Sequence, residues 1–119
     1  MNDISDSMIQ KLQSFLSLAS QRHSLITTNI ANLDTPGYHT RDIDFRSELR
    51  RAINNEDMNL SPAAHTVPGL MQRPDGNDVS MDRESLLLAE TQLQYNVGVQ
   101  LIRGEFQQIM AAINEGGKG

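Results

Sequence analysis

Three histidines are the side chains best suited to metal or acid–base chemistry, and they are the only imidazoles of the sequence: His23, His39 and His65. Histidine ligands of zinc or iron usually stand one helical turn apart or converge from neighbouring strands. No two of these histidines have the helical spacing. His23 falls near the apolar edge of a predicted helix, where it is typical of a packing or surface residue. The histidines therefore indicate neither a metal site nor a cofactor.

Three aspartates lie close together in the sequence around a chain reversal: Asp34, Asp42 and Asp44. Carboxylates bind a cation or move protons as a group only when they are buried together. A solvated turn in which they cap local structure accounts for the same residues without a catalytic role. A small metal-dependent enzyme that uses these aspartates with the histidines is therefore kept as a rival hypothesis.

The segment Asp75-Gly76-Asn77-Asp78 starts like a calcium-binding loop. Such a loop requires glycine at its sixth position and a bidentate acid at its twelfth, and here Ser80 and Leu86 hold those positions. The sequence also has no cysteine, no glycine-rich phosphate loop and no nucleophile elbow. We therefore reject a calcium loop and predict that the protein is not an enzyme.

The composition indicates one small acidic domain with a thin aliphatic core. The 119 residues carry a formal net charge of -5, and 4% of them are aromatic. This charge is opposite to that of proteins that bind a phosphate backbone, so we expect no nucleic acid partner. Arg46, Arg50 and Arg51 form a small basic face that is either solvated or meets an acidic partner surface. The apolar runs are too short for a membrane span.

Apolar residues at helical spacing predict an amphipathic N-terminal helix over residues 6–31: Met8, Leu12, Phe15, Ala19, Ile26 and Ile30. Pro36 disfavours a helical backbone at Thr35, and Pro36-Gly37 fits the two central positions of a type II turn. The helix must therefore end before this point. The middle of the chain, residues 32–80, is interpreted as this turn, a short helix near 47–54 and an irregular loop over 55–79.

Ser80 is placed to cap a C-terminal helix over residues 81–114, which is followed by a flexible tail at 115–119. At about 100° per residue this helix has two apolar faces on opposite sides. The first stripe consists of Leu86, Leu93, Val97 and Leu101. The second stripe consists of Leu88, Tyr95, Val99, Ile102, Phe106, Ile109 and Ile113.

The predicted fold is mainly α, a single domain of residues 1–119 in which two long terminal helices pair as an antiparallel coiled coil joined by a loop-rich middle. We predict that the first stripe pairs within the chain with four residues of the N-terminal helix, namely Leu12, Phe15, Ala19 and Ile26. The second stripe is then left for neighbouring subunits, because the N-terminal helix covers one face at a time. Burying this stripe would contribute on the order of 10–20 kcal/mol against an association cost of about 4–15 kcal/mol.

The end of the first helix carries the motif Asn29-Ile30-Ala31-Asn32-Leu33-Asp34-Thr35-Pro36-Gly37-Tyr38. This motif resembles the signature of the bacterial flagellar rod and hook protein family, and the residues that carry the likeness are Asn29, Ala31, Asn32, Thr35, Pro36, Gly37 and Tyr38. The likeness to rod proteins continues over residues 41–45, 75–84 and 92–95 and is weakest over 55–73. Longer relatives insert β-rich domains between the terminal helices, for which this chain has no space, so the resemblance favours a proximal rod subunit.

The resemblance implies a non-enzymatic structural subunit of the basal-body rod, the drive shaft that crosses the periplasm and transmits torque. Its neighbours would be copies of itself, the rod proteins FlgC and FlgF, and the rod-base adaptor FliE. Family members leave the cytoplasm through the flagellar type III export apparatus, which agrees with an acidic N-terminal segment unlike a cleaved signal peptide. The residues also leave open a different function, a helical-hairpin adaptor or export chaperone that binds one amphipathic partner helix.

Overall fold

Long helices at both ends dominate the fold. The computed structural model describes residues 3–55 and 62–117. Its elements follow in the order α1 (Asp3–Ala31), β1 (Arg41–Ile43), α2 (Phe45–Asn55), β2 (Ala64–Thr66) and α3 (Met81–Gly117). The molecule measures 72 × 25 × 17 Å, with α1 and α3 side by side and antiparallel. The prediction of a mainly α fold with two long antiparallel terminal helices is confirmed.

The second and third helices begin at caps that the sequence indicates. The Ser47 amide donates to Asp44 Oδ1 over 3.2 Å, and the Arg83 amide donates to Ser80 Oγ over 3.2 Å. Asp44 and Ser80 therefore satisfy amides that the first turns of α2 and α3 leave free. Both terminal helices extend beyond their predicted bounds, α1 to Asp3 and α3 to Gly117. The last two residues of the predicted tail lie outside the described residues.

The middle segment contains a two-stranded antiparallel sheet that the sequence patterns did not predict. Its strands pair in the register Arg41↔Thr66, Asp42↔His65 and Ile43↔Ala64. The loop predicted over 55–79 therefore includes β2, and its part at 56–61 lies outside the described residues. Strands this short have too few alternating positions for a period of two to be recognised.

The core is small and aliphatic, and its buried members are Leu18, Ala19, Ile26, Ile43 and Val79. They come from α1, from β1 and from the residue before the cap of α3. α2 is held against α1 by Phe15 and Phe45, whose rings meet edge to face with centroids 5.6 Å apart. The sheet and α2 therefore pack on α1 rather than forming a separate unit.

α3 faces α1 along a line of polar and small residues that lies beside the second stripe and about 125° around the helix from the first. Glu84, Thr91 and Gly98, which recur every seven residues, are buried on this line. Gly98 lets the helices approach closely, since a Cβ at its position would lie 2.7 Å from Leu16 Cδ2. The bare backbone at Gly98, rather than leucine content, thus decides which side of α3 meets α1.

The first stripe points away from α1, so the prediction that it pairs with α1 inside the subunit is wrong. Leu86, Leu93, Val97 and Leu101 are 70%, 65%, 47% and 54% exposed. On α1, Ala19 and Ile26 are buried, Leu12 and Phe15 are half-buried, and the Phe15 ring faces Gly98 instead of a leucine. A leucine stripe between the helices would hold their axes further apart than glycine does. This explains why α3 turns Gly98, and not the first stripe, toward α1.

Candidate functional site

Asn29, the first residue of the motif that ends α1, is the centre of a buried hydrogen-bond group. Its Nδ2 donates to the Arg41 carbonyl oxygen over 2.8 Å and to Glu84 Oε2 over 3.2 Å. Its Oδ1 accepts from the Tyr38 hydroxyl over 2.9 Å and from the Arg41 amide over 3.1 Å. Both amide hydrogens and the oxygen of Asn29 are thereby used. One fully buried side chain joins α1, the following turn, β1 and α3.

The turn after α1 has the type II geometry that Pro36 and Gly37 predict. The Tyr38 amide donates to the Thr35 carbonyl oxygen over 3.2 Å, and Gly37 has a φ of 74°. This φ lies in the region that a side chain disfavours. Asn32 Oδ1 accepts from Thr35 Oγ1 over 3.0 Å inside the same turn. The motif is therefore a locally bonded end to α1.

A loop from the second half of the chain is tied to this turn by Asn77. Its buried Nδ2 donates to the carbonyl oxygens of Asn32 over 2.9 Å and Thr35 over 2.8 Å. The guanidinium of Arg73 adds a second tie by donating to the carbonyl oxygen of Leu33. These bonds satisfy carbonyl groups that follow the C-terminal end of α1. Ala31 and Pro36 of the motif are exposed, and these bonds do not involve them.

Four charged side chains near the turn form a continuous series of ion pairs, in the order Arg22, Asp42, Arg83 and Glu84. Arg22 donates to both carboxylate oxygens of Asp42, over 3.0 and 3.1 Å. Arg83 donates to Asp42 Oδ2 over 2.9 Å and to Glu84 Oε1 over 2.7 Å. Two positive and two negative charges balance, which allows both carboxylates to be buried. We name the whole bonded region, residues 29–43 and 73–84, the head.

The Asp42 carboxyl is held in its charged form. Burial alone raises the pKa of Asp42, but the hydrogen bonds and charge of Arg22, the Ile43 amide and Arg83 outweigh burial. The pKa of Asp42 therefore lies below its ordinary value of 3.8. The Asp42 carboxylate thus keeps its charge at neutral pH.

Asp78 is a third buried carboxylate of the head. The Thr40 amide donates to Asp78 Oδ1 over 2.6 Å, and His39 Nδ1 lies 3.4 Å from Asp78 Oδ2. Burial raises the pKa of Asp78, and these two partners outweigh it, so this pKa also lies below 3.8. Asp78 thus joins the start of β1 to the segment that leads into α3.

The aspartates and histidines considered above for metal or proton chemistry do not form one site in the fold. Asp42 is engaged by two arginines, and Asp34 is exposed. Asp44 caps α2, where the hydrogen bond from the Ser47 amide lowers its pKa. The three histidines are exposed at separate places. Across residues 3–55 and 62–117, no group of three or more histidine and acidic side chains is arranged to hold a metal ion.

The second stripe lies on the flank of α3 opposite the first. Three of its members are largely uncovered, with Tyr95, Phe106 and Ile113 at 44%, 52% and 59% exposure. The other four, Leu88, Val99, Ile102 and Ile109, are half-buried. The second stripe therefore adjoins the line that α3 shares with α1, and the first stripe lies on the far side of the helix.

Comparison with known proteins decides the family. No protein-family model matches the chain. A flagellar basal body rod protein FlgB from Yersinia ruckeri is 33% identical over 98% of this chain and 100% of the relative. The chain belongs to the FlgB family of flagellar basal body rod proteins. FlgB of Escherichia coli K12 is 32% identical over 98% of this chain and 99% of its own length. FlgB of Cereibacter sphaeroides is 37% identical over 82% of this chain and 87% of its own length.

Membership in the FlgB family confirms the resemblance that the motif at the end of α1 indicates. The chain is a structural subunit of the flagellar basal-body rod and not an enzyme, and its place is the flagellar basal body. The rival hypothesis of a small metal-dependent enzyme is therefore wrong. Among the helices of the described ranges, none has the length and hydropathy that crossing a membrane demands.

The sequence patterns missed the charged network that holds the head of this FlgB-family chain. One signal was available, because Arg22 falls on the apolar side of α1 between Ala19 and Ile26, where a hydrophobic residue would continue the period. A charge at such a place indicates a buried ion pair. Asn77 gave no signal, since its partners lie more than 40 residues away.

Proposed function

We propose that this protein is a subunit of the proximal rod, where its terminal helices assemble into the drive shaft that crosses the periplasm and transmits torque. In this proposal both stripes of α3 are contact surfaces toward neighbouring subunits. The head does not take part in these contacts directly but fixes the angle between α1 and α3.

The observation that carries the proposal is the exposure of both stripes on one helix. The two stripes together leave seven large apolar side chains of α3 at least 44% exposed. Such a monomer gains free energy when neighbours cover them. Partial burial of these side chains contributes on the order of 5–15 kcal/mol in total, comparable to an association cost of about 4–15 kcal/mol. Contacts with several neighbours at once are therefore needed for firm addition to a growing rod.

The proposed neighbours are copies of the same chain, the rod proteins FlgC and FlgF, and the rod-base adaptor FliE. We further propose that the chain reaches them through the flagellar type III export apparatus without a cleaved signal peptide.

A test against the helical-hairpin adaptor or export chaperone is to purify basal bodies from a strain whose only copy of the gene encodes this chain. A rod subunit is retained in detergent-purified basal bodies at a fixed ratio to the other rod proteins, as measured by quantitative mass spectrometry. A chaperone or adaptor stays in the cytoplasm. Absence of the chain from purified basal bodies of swimming cells would contradict the proposal.

A further inference from the structure

We propose that the first stripe of one copy packs on the second stripe of the next copy, with α3 in the same orientation and shifted by about nine residues, ~14 Å along the helix axis. This inference deepens the proposed function and rests on it. It names the occupant of both surfaces as a second copy of this chain, and it fixes the register of the contact.

The two stripes occupy different stretches as well as opposite flanks of α3. The first stripe runs from Leu86 to Leu101, and the exposed members of the second run from Tyr95 to Ile113. The second stripe is thus displaced toward the C-terminal end of the helix. Two parallel copies that bring these stripes together must therefore be staggered along their axes.

A shift of about nine residues, which is two and a half helical turns, pairs the stripes member by member. It sets Leu86 opposite Tyr95, Leu93 opposite Ile102, and Val97 opposite Phe106. Leu101 then lies opposite Met110, an exposed methionine that belongs to neither stripe as predicted. Every member of the first stripe obtains an apolar partner in this register.

The charged residues on these flanks agree with the same register. Glu90 is an exposed acid between Leu86 and Leu93, and Arg103 is an exposed base beside the second stripe. The shift brings Glu90 of one copy within about one helical turn of Arg103 on the next. Long side chains of opposite charge at this separation attract each other.

A contact between unlike surfaces also explains why one helix carries two stripes. A two-fold contact of first stripe on first stripe would close a dimer and leave the second stripe exposed. Packing first on second covers the first stripe of one copy and Tyr95, Ile102 and Phe106 of the next, and it continues without closing. The first stripe is roughly 22 Å long on a helix about 10 Å wide, so its contact area is roughly 220 Å². This area is far below the ~800 Å² that each partner buries in a stable complex. A single contact of this kind is therefore weak, and the array needs further neighbours.

Disulfide crosslinking tests the register directly, because the natural chain has no cysteine. Cells whose only copy carries both Val97→Cys and Phe106→Cys are treated with a mild oxidant, and their basal bodies are examined on non-reducing gels. We expect a ladder of multimers from the double variant and no dimer from either single variant. A matched control combines Val97→Cys with Gln107→Cys, since Gln107 is exposed but turned away from Phe106 by about 100°; it should give no ladder.

The outcomes separate this inference from the proposed function. A dimer from Val97→Cys alone would mean that like stripes meet, and it would overturn the inference. Absence of crosslinks in purified basal bodies that contain the chain would also overturn it while leaving the rod assignment intact. If the first pair prevents assembly, Leu86→Cys with Tyr95→Cys tests the same register, and it must give the ladder. Absence of the wild-type chain from basal bodies would contradict the proposed function itself.

Discussion

The Asn29 amide group donates to the Glu84 carboxylate over 3.2 Å, although 55 residues separate the two along the chain. Both side chains are fully buried. Asn29 lies two residues before the end of α1, and Glu84 lies in the first turn of α3. This bond therefore fixes the two long helices to each other at the point where the chain between them departs.

Replacing Asn29 by alanine should lower the free energy of unfolding by about 2–4 kcal/mol. The change leaves the Tyr38 hydroxyl, the Arg41 amide and carbonyl, and one Glu84 oxygen without their partner, and each unsatisfied buried group costs about 1–3 kcal/mol before relaxation. Urea unfolding followed by circular dichroism measures the change. Asn96→Ala, at an exposed position of α3, should stay within about 0.5 kcal/mol of the wild type. Equal losses from both variants would contradict the central role of Asn29.

Acidification should weaken the fold through Asp42 and Asp78. Both pKa values lie below 3.8 in the folded chain, so the folded state binds fewer protons than the unfolded state in this range. Their stabilisation is complete above about pH 4 and is lost as the pH falls through the folded pKa values. Asp42→Asn with Asp78→Asn should flatten this fall and lower stability at neutral pH. Unfolding titrations from about pH 2.5 to pH 7 measure both effects.

The exposed Asp34 provides the control for the acid dependence. Asp34→Asn should leave the fall in stability below about pH 4 unchanged, because its carboxyl lies outside the bonded network of the head. An undiminished acid dependence in the Asp42 and Asp78 double variant would show that other groups are responsible.

Valine at Gly98 should separate α1 from α3. A Cβ there would lie 2.7 Å from Leu16 Cδ2 and 3.1 Å from Phe15 Cδ1, whereas nothing lies within 4 Å of the Cβ position at Gly104. Gly98→Val and Gly104→Val make the same change in helix propensity. The difference between their free energies of unfolding therefore isolates the steric effect at the contact between Gly98 and α1. We expect Gly98→Val to be less stable by about 1–3 kcal/mol in thermal or urea unfolding. Equal stabilities would mean that the helices do not approach at Gly98.

Aspartate at Ile102 and Phe106 should abolish rod assembly and swimming while leaving export intact. Two carboxylates in the second stripe cannot be covered by an apolar partner surface without a large desolvation cost. Soft-agar swimming and immunoblots of the periplasmic fraction measure motility and export. Gln107→Asp with Gln108→Asp, at exposed polar positions turned about 100° and 200° away from Phe106 around the helix, should swim normally. Normal swimming by the Ile102 and Phe106 double variant would remove this face from the rod contacts.

The long helices and the turn between them could be predicted from local patterns. Apolar residues at helical spacing set α1 and α3, Ser80 marks the start of α3, and Pro36 with Gly37 ends α1. Each of these signals is contained in a few neighbouring residues. The motif at Asn29 likewise pointed to the flagellar rod family, although not to the bonds that Asn29 makes.

The side of α3 that meets α1 could not be predicted from hydrophobicity. Leu86 and Leu93 are predicted to face inward, yet Gly98 permits the closer approach. Glu84 is buried because its neighbour Arg83 pairs with its charge and the distant Asn29 donates a hydrogen bond to it. Arg83 is in turn held by Asp42 of β1, and Asn29 lies in α1. Pairings across this much chain leave no periodic trace, so they appear only once the fold is known.

The head bonds the first turn of α3, and α1 contacts the helix again at Gly98, so two points about 21 Å apart set the direction of α3. Gly117 lies about 50 Å from Glu84, so a tilt of about 5° between α1 and α3 would displace the far end of the helix by roughly 4 Å. Such a displacement is nearly the width of one side chain. Substitutions at either point should therefore spoil the fit of distant Ile113 before they unfold the chain.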